Sequence, residues 1–351
     1  MATLDTFIAG LPKAELHVHH VGSASPRIVA ELAARHAGST PVPADPELLA
    51  DYFTFTDFAH FIEVYLTVVD LIRTPEDIWT LTYEIAREMA AQNIRYAELT
   101  LTPYSSIVRG IAAEAFCDSV EDARLRAESD HGVRLAWCFD IPGEAGVPSA
   151  DVTLDAALRI APPGLVSFGL GGPEAGVPRE QFASHFAQAR AAGLHSVPHA
   201  GESTGPETIW DALVHLGAER IGHGIAAVAD PVLLAHLSQH GIALEVCPTS
   251  NVCTRSAPSY AEHPLPKLVA AGVPVTINSD DPPMFSTTLN REYAVAAQML
   301  NLDHNGVADL ARAAVDVSFL DDQAKAGLRA EIDAYAREWS VAGGSDGQSR
   351  A

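Results

Sequence analysis

Basic residues are scarce in this chain of 351: 22 Lys and Arg stand against 45 Asp and Glu, a formal charge of −23. So acidic a protein repels phosphate backbones and anionic headgroups, which excludes nucleic acid and membrane surfaces as expected partners. Cysteine is nearly missing as well. Cys117, Cys138, Cys247 and Cys253 are too few for a disulfide scaffold and form no Cys-x-x-Cys pair. No uncharged apolar run approaches the roughly 18 residues that suggest a membrane span. Met1 to Gly10 has neither the basic start nor the apolar stretch of a signal peptide. Internal repeats and low-complexity blocks are lacking too. The expectation is a cytoplasmic globular protein, for which 48% hydrophobic and 19% charged residues supply a large core.

Short β-type runs do recur: Ala14–His20, Ile94–Leu101, Arg134–Ile141, Leu165–Gly171, His195–Ala200, Arg220–Gly224, Ala243–Pro248 and Val273–Asp280. Between them, Pro26–His36, Glu76–Gln92, Arg179–Ala192 and Pro231–His240 carry the 3.6-residue period of helices. Strands alternating with helices predict parallel βαβ units, and eight such units close into a (β/α)8 barrel. Val307–Trp339 would add helices outside it. Residues 1–342 are expected as a single domain and the Gly- and Ser-rich 343–351 as a flexible tail. The first strand-to-strand connection is unusually long and includes Tyr52, Phe53, Phe55, Phe58 and Phe61. Most of those aromatics are expected as core between helices; one or two would line a helical lid over a pocket, with Phe58 and Phe61 as the candidates to meet substrate.

Polar residues that make poor core gather at the expected strand ends. His17 and His19, two apart in a strand, point the same way and suit a divalent metal. The fifth strand ends at His199-Ala200-Gly201-Glu202, the sixth contains Gly222-His223-Gly224, and the eighth runs into Ser279-Asp280-Asp281-Pro282. All four fall on the C-terminal face, where barrel enzymes place their chemistry.

Leu11-Pro12-Lys13-Ala14-Glu15-Leu16-His17-Val18-His19, His199-Ala200-Gly201-Glu202, Gly222-His223-Gly224, Cys247-Pro248-Thr249-Ser250-Asn251 and Ser279-Asp280-Asp281-Pro282 resemble, in order, the motifs of the adenosine deaminase family, a branch of the amidohydrolase barrels. The resemblance spans nearly the whole chain. It implies one Zn2+ per chain, held by His17, His19, His199 and Asp280. It implies Glu202 as proton donor to purine N1, and His223 as the group that orients and deprotonates the attacking water. Asp281 would meet N7 and the Gly172 amide N3. A zinc with three imidazoles and a carboxylate leaves a position for water and lowers that water's pKa to about 7.

The chain departs from the family pattern in three places. Family members usually read His-x-His-Leu-Asp-Gly, with the Asp on the ribose 5′-hydroxyl, and adenine deaminases tend to carry Glu there. This sequence has His17-Val18-His19-His20-Val21-Gly22. Val21 accepts no hydrogen bond, so the site suits a nucleoside without a 5′-oxygen. Gly169-Leu170-Gly171-Gly172-Pro173-Glu174 lacks two carboxylates of the family's Asp-Leu-x-Gly-Asp-Glu, and Thr100 stands where an Arg is usual. Some members deaminate 6-aminodeoxyfutalosine, an intermediate of the alternative menaquinone pathway whose 5′ carbon bears a ketone-linked benzoate. The His-x-His-His-Val-Gly-Ser run resembles that subgroup. The resemblance therefore implies deamination of 6-aminodeoxyfutalosine to futalosine and ammonia, with adenosine or adenine as the alternative. Arg109, Ser105 and Ser106 are candidate partners for the benzoate carboxylate.

Overall fold

The computed structural model describes residues 3–54 and 58–345, except for the side chains of 46, 50, 58–62 and 342–345. Eight parallel strands lie in sequence order: β1 Lys13–His19, β2 Ile94–Leu101, β3 Arg134–Pro142, β4 Leu165–Gly171, β5 His195–Ala200, β6 Arg220–His223, β7 Ala243–Val246 and β8 Val275–Ile277. β8 returns to β1 through a parallel bridge between Val18 and Asp280. There the His19 amide donates to the Asp280 carbonyl at 2.9 Å and the Asp280 amide to the His17 carbonyl at 3.1 Å. The result is a (β/α)8 barrel.

β7 and β8 are shorter than the sequence suggests. Pro248 opens a helix, Pro248–Cys253, because its ring presets a helical φ and its missing N–H costs nothing at a first turn. Beyond Ile277 the chain leaves the ladder. Asn278 Oδ1 takes the Leu16 amide at 2.9 Å, and Asp280 turns at φ +65°. Elsewhere the helices start where local chemistry places them. Pro26, Pro75, Pro206 and Pro231 sit in first turns, and Thr74 with Asp77 forms a reciprocal capping box.

Four helices fill the first connection: Pro26–Arg35, Pro46–Tyr52, Phe58–Val69 and Pro75–Ala91. Thr67 Oγ1 donates to the Val64 carbonyl at 2.6 Å, so the Tyr52 hydroxyl donates to Thr67, also at 2.6 Å, and ties two of these helices together. Tyr52 and Phe53 thus act as packing residues. The extra C-terminal helices are His304–Val317 and Asp322–Ser345, so helix continues beyond residue 342. Among the described residues, no helix is long and apolar enough to cross a membrane.

Candidate active site

Strand alternation puts His17 and His19 on one face at the end of β1. His199 comes from β5, and the turn after β8 swings Asp280 toward them. His19 Nε2 lies 3.2 Å from both His199 Nε2 and Asp280 Oδ1, and His17 Nε2 lies 3.5 Å from Asp280 Oδ1. One ligand atom from each of the four residues fits within 4.8 Å of the others. His17 Nε2 is buried without a hydrogen-bond partner, a costly state that a cation relieves. Two imidazole nitrogens facing each other at 3.2 Å make the same point. The donor set fits a divalent metal such as zinc.

The four candidate ligands are held from behind. His17 Nδ1–H donates to Glu245 Oε2 at 2.8 Å, which leaves Nε2 free for an ion. Glu245 Oε1 takes Arg220 Nε–H at 2.6 Å, and Arg220 continues to Glu98. The Phe319 ring stacks 3.9 Å from that guanidinium. His199 Nδ1–H donates to the Leu170 carbonyl at 3.0 Å. Ser250 Oγ donates to Asp280 Oδ2 at 2.6 Å. Burial alone would raise the Asp280 carboxyl, but the adjacent His17 and His19 hold it well below the ordinary range.

Glu202 and His223 face the same centre. His223 Nε2 is 3.6 Å from Glu202 Oε2 and 3.8 Å from Asp280 Oδ2. Burial, then the charges of Asp280 and Glu174, push the Glu202 carboxyl up to about 8. It therefore carries a proton at neutral pH. Glu174 also accepts the amides of Gly201 at 3.0 Å and Glu202 at 2.8 Å, fixing the turn that presents Glu202. His223 is pushed down to about 3, by burial first and then by His17 and His19, so its ring is neutral. It takes the left-handed φ of +59°, rare for a non-glycine residue and common where function demands it. Asp281 keeps one buried oxygen, Oδ1, without a partner. Burial and the charge of Asp280 raise its carboxyl to about 7. Gly22 makes room for it, since a Cβ there would overlap Asp281 Oδ1.

The model of the family described as adenosine deaminase matches residues 12–335. The chain belongs to the adenosine deaminase family. It is 66% identical to the aminodeoxyfutalosine deaminase of Streptomyces avermitilis, over 96% of this chain and 94% of that protein. It is 37% identical to an adenine deaminase of Cupriavidus necator, over 97% and 95%. Among solved structures, an adenine deaminase from Arthrobacter aurescens superposes with a TM-score of 0.87 at 31% identity, covering 93% of this chain and 99% of that one.

Against the adenosine deaminase pattern, Val21 occupies the short turn Val21–Ser23 after β1 and packs partly buried against the core. Gly172 has φ +80°, and a side chain there would overlap Glu144 Oε2. A carboxylate from β3, Asp140, lies against the end of β4. Asp140 Oδ2 lies 2.6 Å from where a Gly171 side chain would begin, and Thr102 Oγ1 donates to Asp140 Oδ1 at 2.6 Å. Arg109 already has partners of its own. Its Nε and Nη2 hold Asp70 at 3.0 Å and its Nη1 donates to the Ser105 carbonyl at 2.7 Å. Phe58 and Phe61 begin the helix Phe58–Val69, but their side chains lie outside the described residues. Tyr65 of that helix was not singled out from the sequence, where it hides in an apolar run. Burial and the carboxyl groups of Asp281, Asp140, Asp280 and Glu144 push its hydroxyl well above the usual range, which places it over the acidic site. Glu245, Glu98 and Arg220 were missed as well, although a charged residue inside a strand such as Leu244-Glu245-Val246 is a readable signal.

Proposed function

We propose that this chain hydrolytically deaminates the 6-amino group of a purine nucleoside, namely 6-aminodeoxyfutalosine, giving futalosine and ammonia. The observation that carries the reading is the convergence of three imidazoles and Asp280 beside Glu202 and His223. Identity of 66% to an aminodeoxyfutalosine deaminase supports the substrate, as does an apolar Val21 that offers a 5′-hydroxyl no acceptor.

His17, His19, His199 and Asp280 would hold one zinc, which supplies a water acidified to near neutrality. The remaining work falls to side chains. The unpartnered Asp281 oxygen meets purine N7 and the Gly172 amide meets N3, fixing the ring plane. His223 orients the attacking water toward C6. As C6 becomes tetrahedral, charge moves onto N1, and Glu202 delivers its proton there. Thr254 Oγ1, 3.2 Å from Glu202 Oε1, holds the carboxyl in line. The C–N bond then breaks as the proton of the new C6 hydroxyl passes to the amino group, which leaves as ammonia, and the 6-oxo purine remains with its proton on N1.

The test is a substrate panel followed by ammonia release and loss of adenine absorbance, before and after chelation. Turnover of aminodeoxyfutalosine that disappears with the metal and returns with zinc is expected. No turnover of any 6-aminopurine by zinc-loaded protein refutes the proposal.

A further inference from the structure

One helical turn, Pro248–Cys253, addresses both halves of the centre. Ser250 holds Asp280, and the neighbouring Asn251 reaches His223. Behind Asn251 lies His263, a residue with no role so far. Both are buried: Asn251 at 0% and His263 at 4% exposure.

The hydrogen bonds among them have a fixed direction. The Leu265 backbone N–H donates to His263 Nδ1 at 3.1 Å. A backbone amide can only donate, so His263 Nδ1 is an acceptor. Burial lowers His263 to about 4, so its ring is neutral and its single proton sits on Nε2. That N–H faces the Asn251 amide at 3.2 Å and requires Oδ1 there. Asn251 Nδ2 is then left facing His223 Nδ1 at 3.1 Å, and an amide nitrogen can only donate. His223 Nδ1 must accept. The backbone of Asn251 cannot swing to reverse this, since its N–H is tied to the Cys247 carbonyl at 2.9 Å and its carbonyl to the Ala257 amide at 2.8 Å.

We propose that His263 and Asn251 are positioning residues that hold neutral His223 with its proton on Nε2, so that it meets the attacking water as a hydrogen-bond donor. Nε2 lies more than 3.5 Å from either neighbouring carboxyl group, so its N–H points into the space between Glu202 and Asp280. A ring nitrogen that carries hydrogen has no lone pair in the ring plane. His223 therefore orients the water without taking a proton at that atom while neutral. The inference rests on the deaminase reading for the identity of the water; the direction of the relay does not.

The experiment is two-bond 1H–15N correlation on zinc-loaded, 15N-histidine protein. It reads the tautomer independently of turnover, and the His223 signal is identified by its loss in His223→Asn. Wild type should show His223 protonated on Nε2 and bare on Nδ1. Asn251→Asp keeps the shape and the contact to His263 but replaces the donor with an acceptor. It should protonate Nδ1 and lower kcat on the order of 10²–10⁴-fold with metal content and KM little changed. His263→Gln, which can still donate to Asn251, should keep the wild-type tautomer and most of kcat, whereas His263→Leu should lose both. If Asn251→Asp does not fold, the His263 pair and the wild-type spectrum decide. A wild-type His223 protonated on Nδ1, or variants that leave its tautomer unmoved, overturns the proposal. A wild-type tautomer as expected in a protein without deaminase turnover would spare the relay and sink only the function.

Discussion

Replacing Glu245 with Gln removes one charge and no volume, yet it should weaken the metal site. Glu245 accepts two hydrogen bonds, from His17 Nδ1–H at 2.8 Å and from Arg220 Nε–H at 2.6 Å. A glutamine has one carbonyl for these two donors. Arg220 is always charged and buried, so the carbonyl goes to Arg220 and the NH2 group faces His17. His17 must then accept at Nδ1 and carry its proton on Nε2, the atom that would bind metal. Loss of such outer-shell partners typically costs about 10–100-fold in metal affinity, which is about 1.4–2.7 kcal/mol. The assay is competition for zinc against a chelator of known affinity, with folding followed by circular dichroism. Glu98→Gln is the control: it also weakens the buried Arg220 pairing but leaves Glu245 on His17. It should lower stability without the drop in affinity. Equal zinc affinity in Glu245→Gln and wild type would refute the reasoning.

Other outcomes follow from the same geometry. Glu202→Gln should keep its metal and lose about 10²–10⁴-fold in kcat. Because the Glu202 carboxyl is raised to about 8, it is protonated and competent below that pH. The kcat of wild type should therefore fall as pH rises through about 8, a decline that a pH–rate profile would reveal or fail to show. Val21→Asp restores an acceptor for a 5′-hydroxyl and puts a carboxylate beside an apolar substituent. Measured on both substrates, kcat/KM for adenosine relative to aminodeoxyfutalosine should rise about tenfold to a hundredfold, the worth of one charged hydrogen bond. Gly22→Ala drives a methyl into Asp281 Oδ1, and the overpacking should cost about 1–3 kcal/mol, read as a lower Tm together with a lower kcat/KM.

The barrel was legible because its strands are apolar runs cut off by turns and helix starts. β2, β4 and β5 begin and end where the pattern says. The end of β8 was misjudged because Ser279 and Asp280 keep an extended appearance in sequence while their amides turn to Glu15 and the His17 carbonyl of β1. The cluster of His17, His19, His199 and Asp280 was legible because each member sits at a strand end within a short motif. The supporting set was not. Glu245, Glu98 and Arg220 meet only when β2, β6 and β7 close around one axis. His263 reaches Asn251 through a turn that no spacing rule describes. Arg109 is a different case: it pairs with Asp70 at 3.0 Å, a partner in the turn after another helix that its sequence neighbourhood does not point to.

The most direct test of the central claim is the specificity constant of zinc-loaded wild type for aminodeoxyfutalosine, adenosine and adenine, measured side by side. The structure predicts efficient deamination of aminodeoxyfutalosine and a marked preference for it over the other two. A preference for adenosine or adenine would contradict the role given to Val21 and the substrate assigned here.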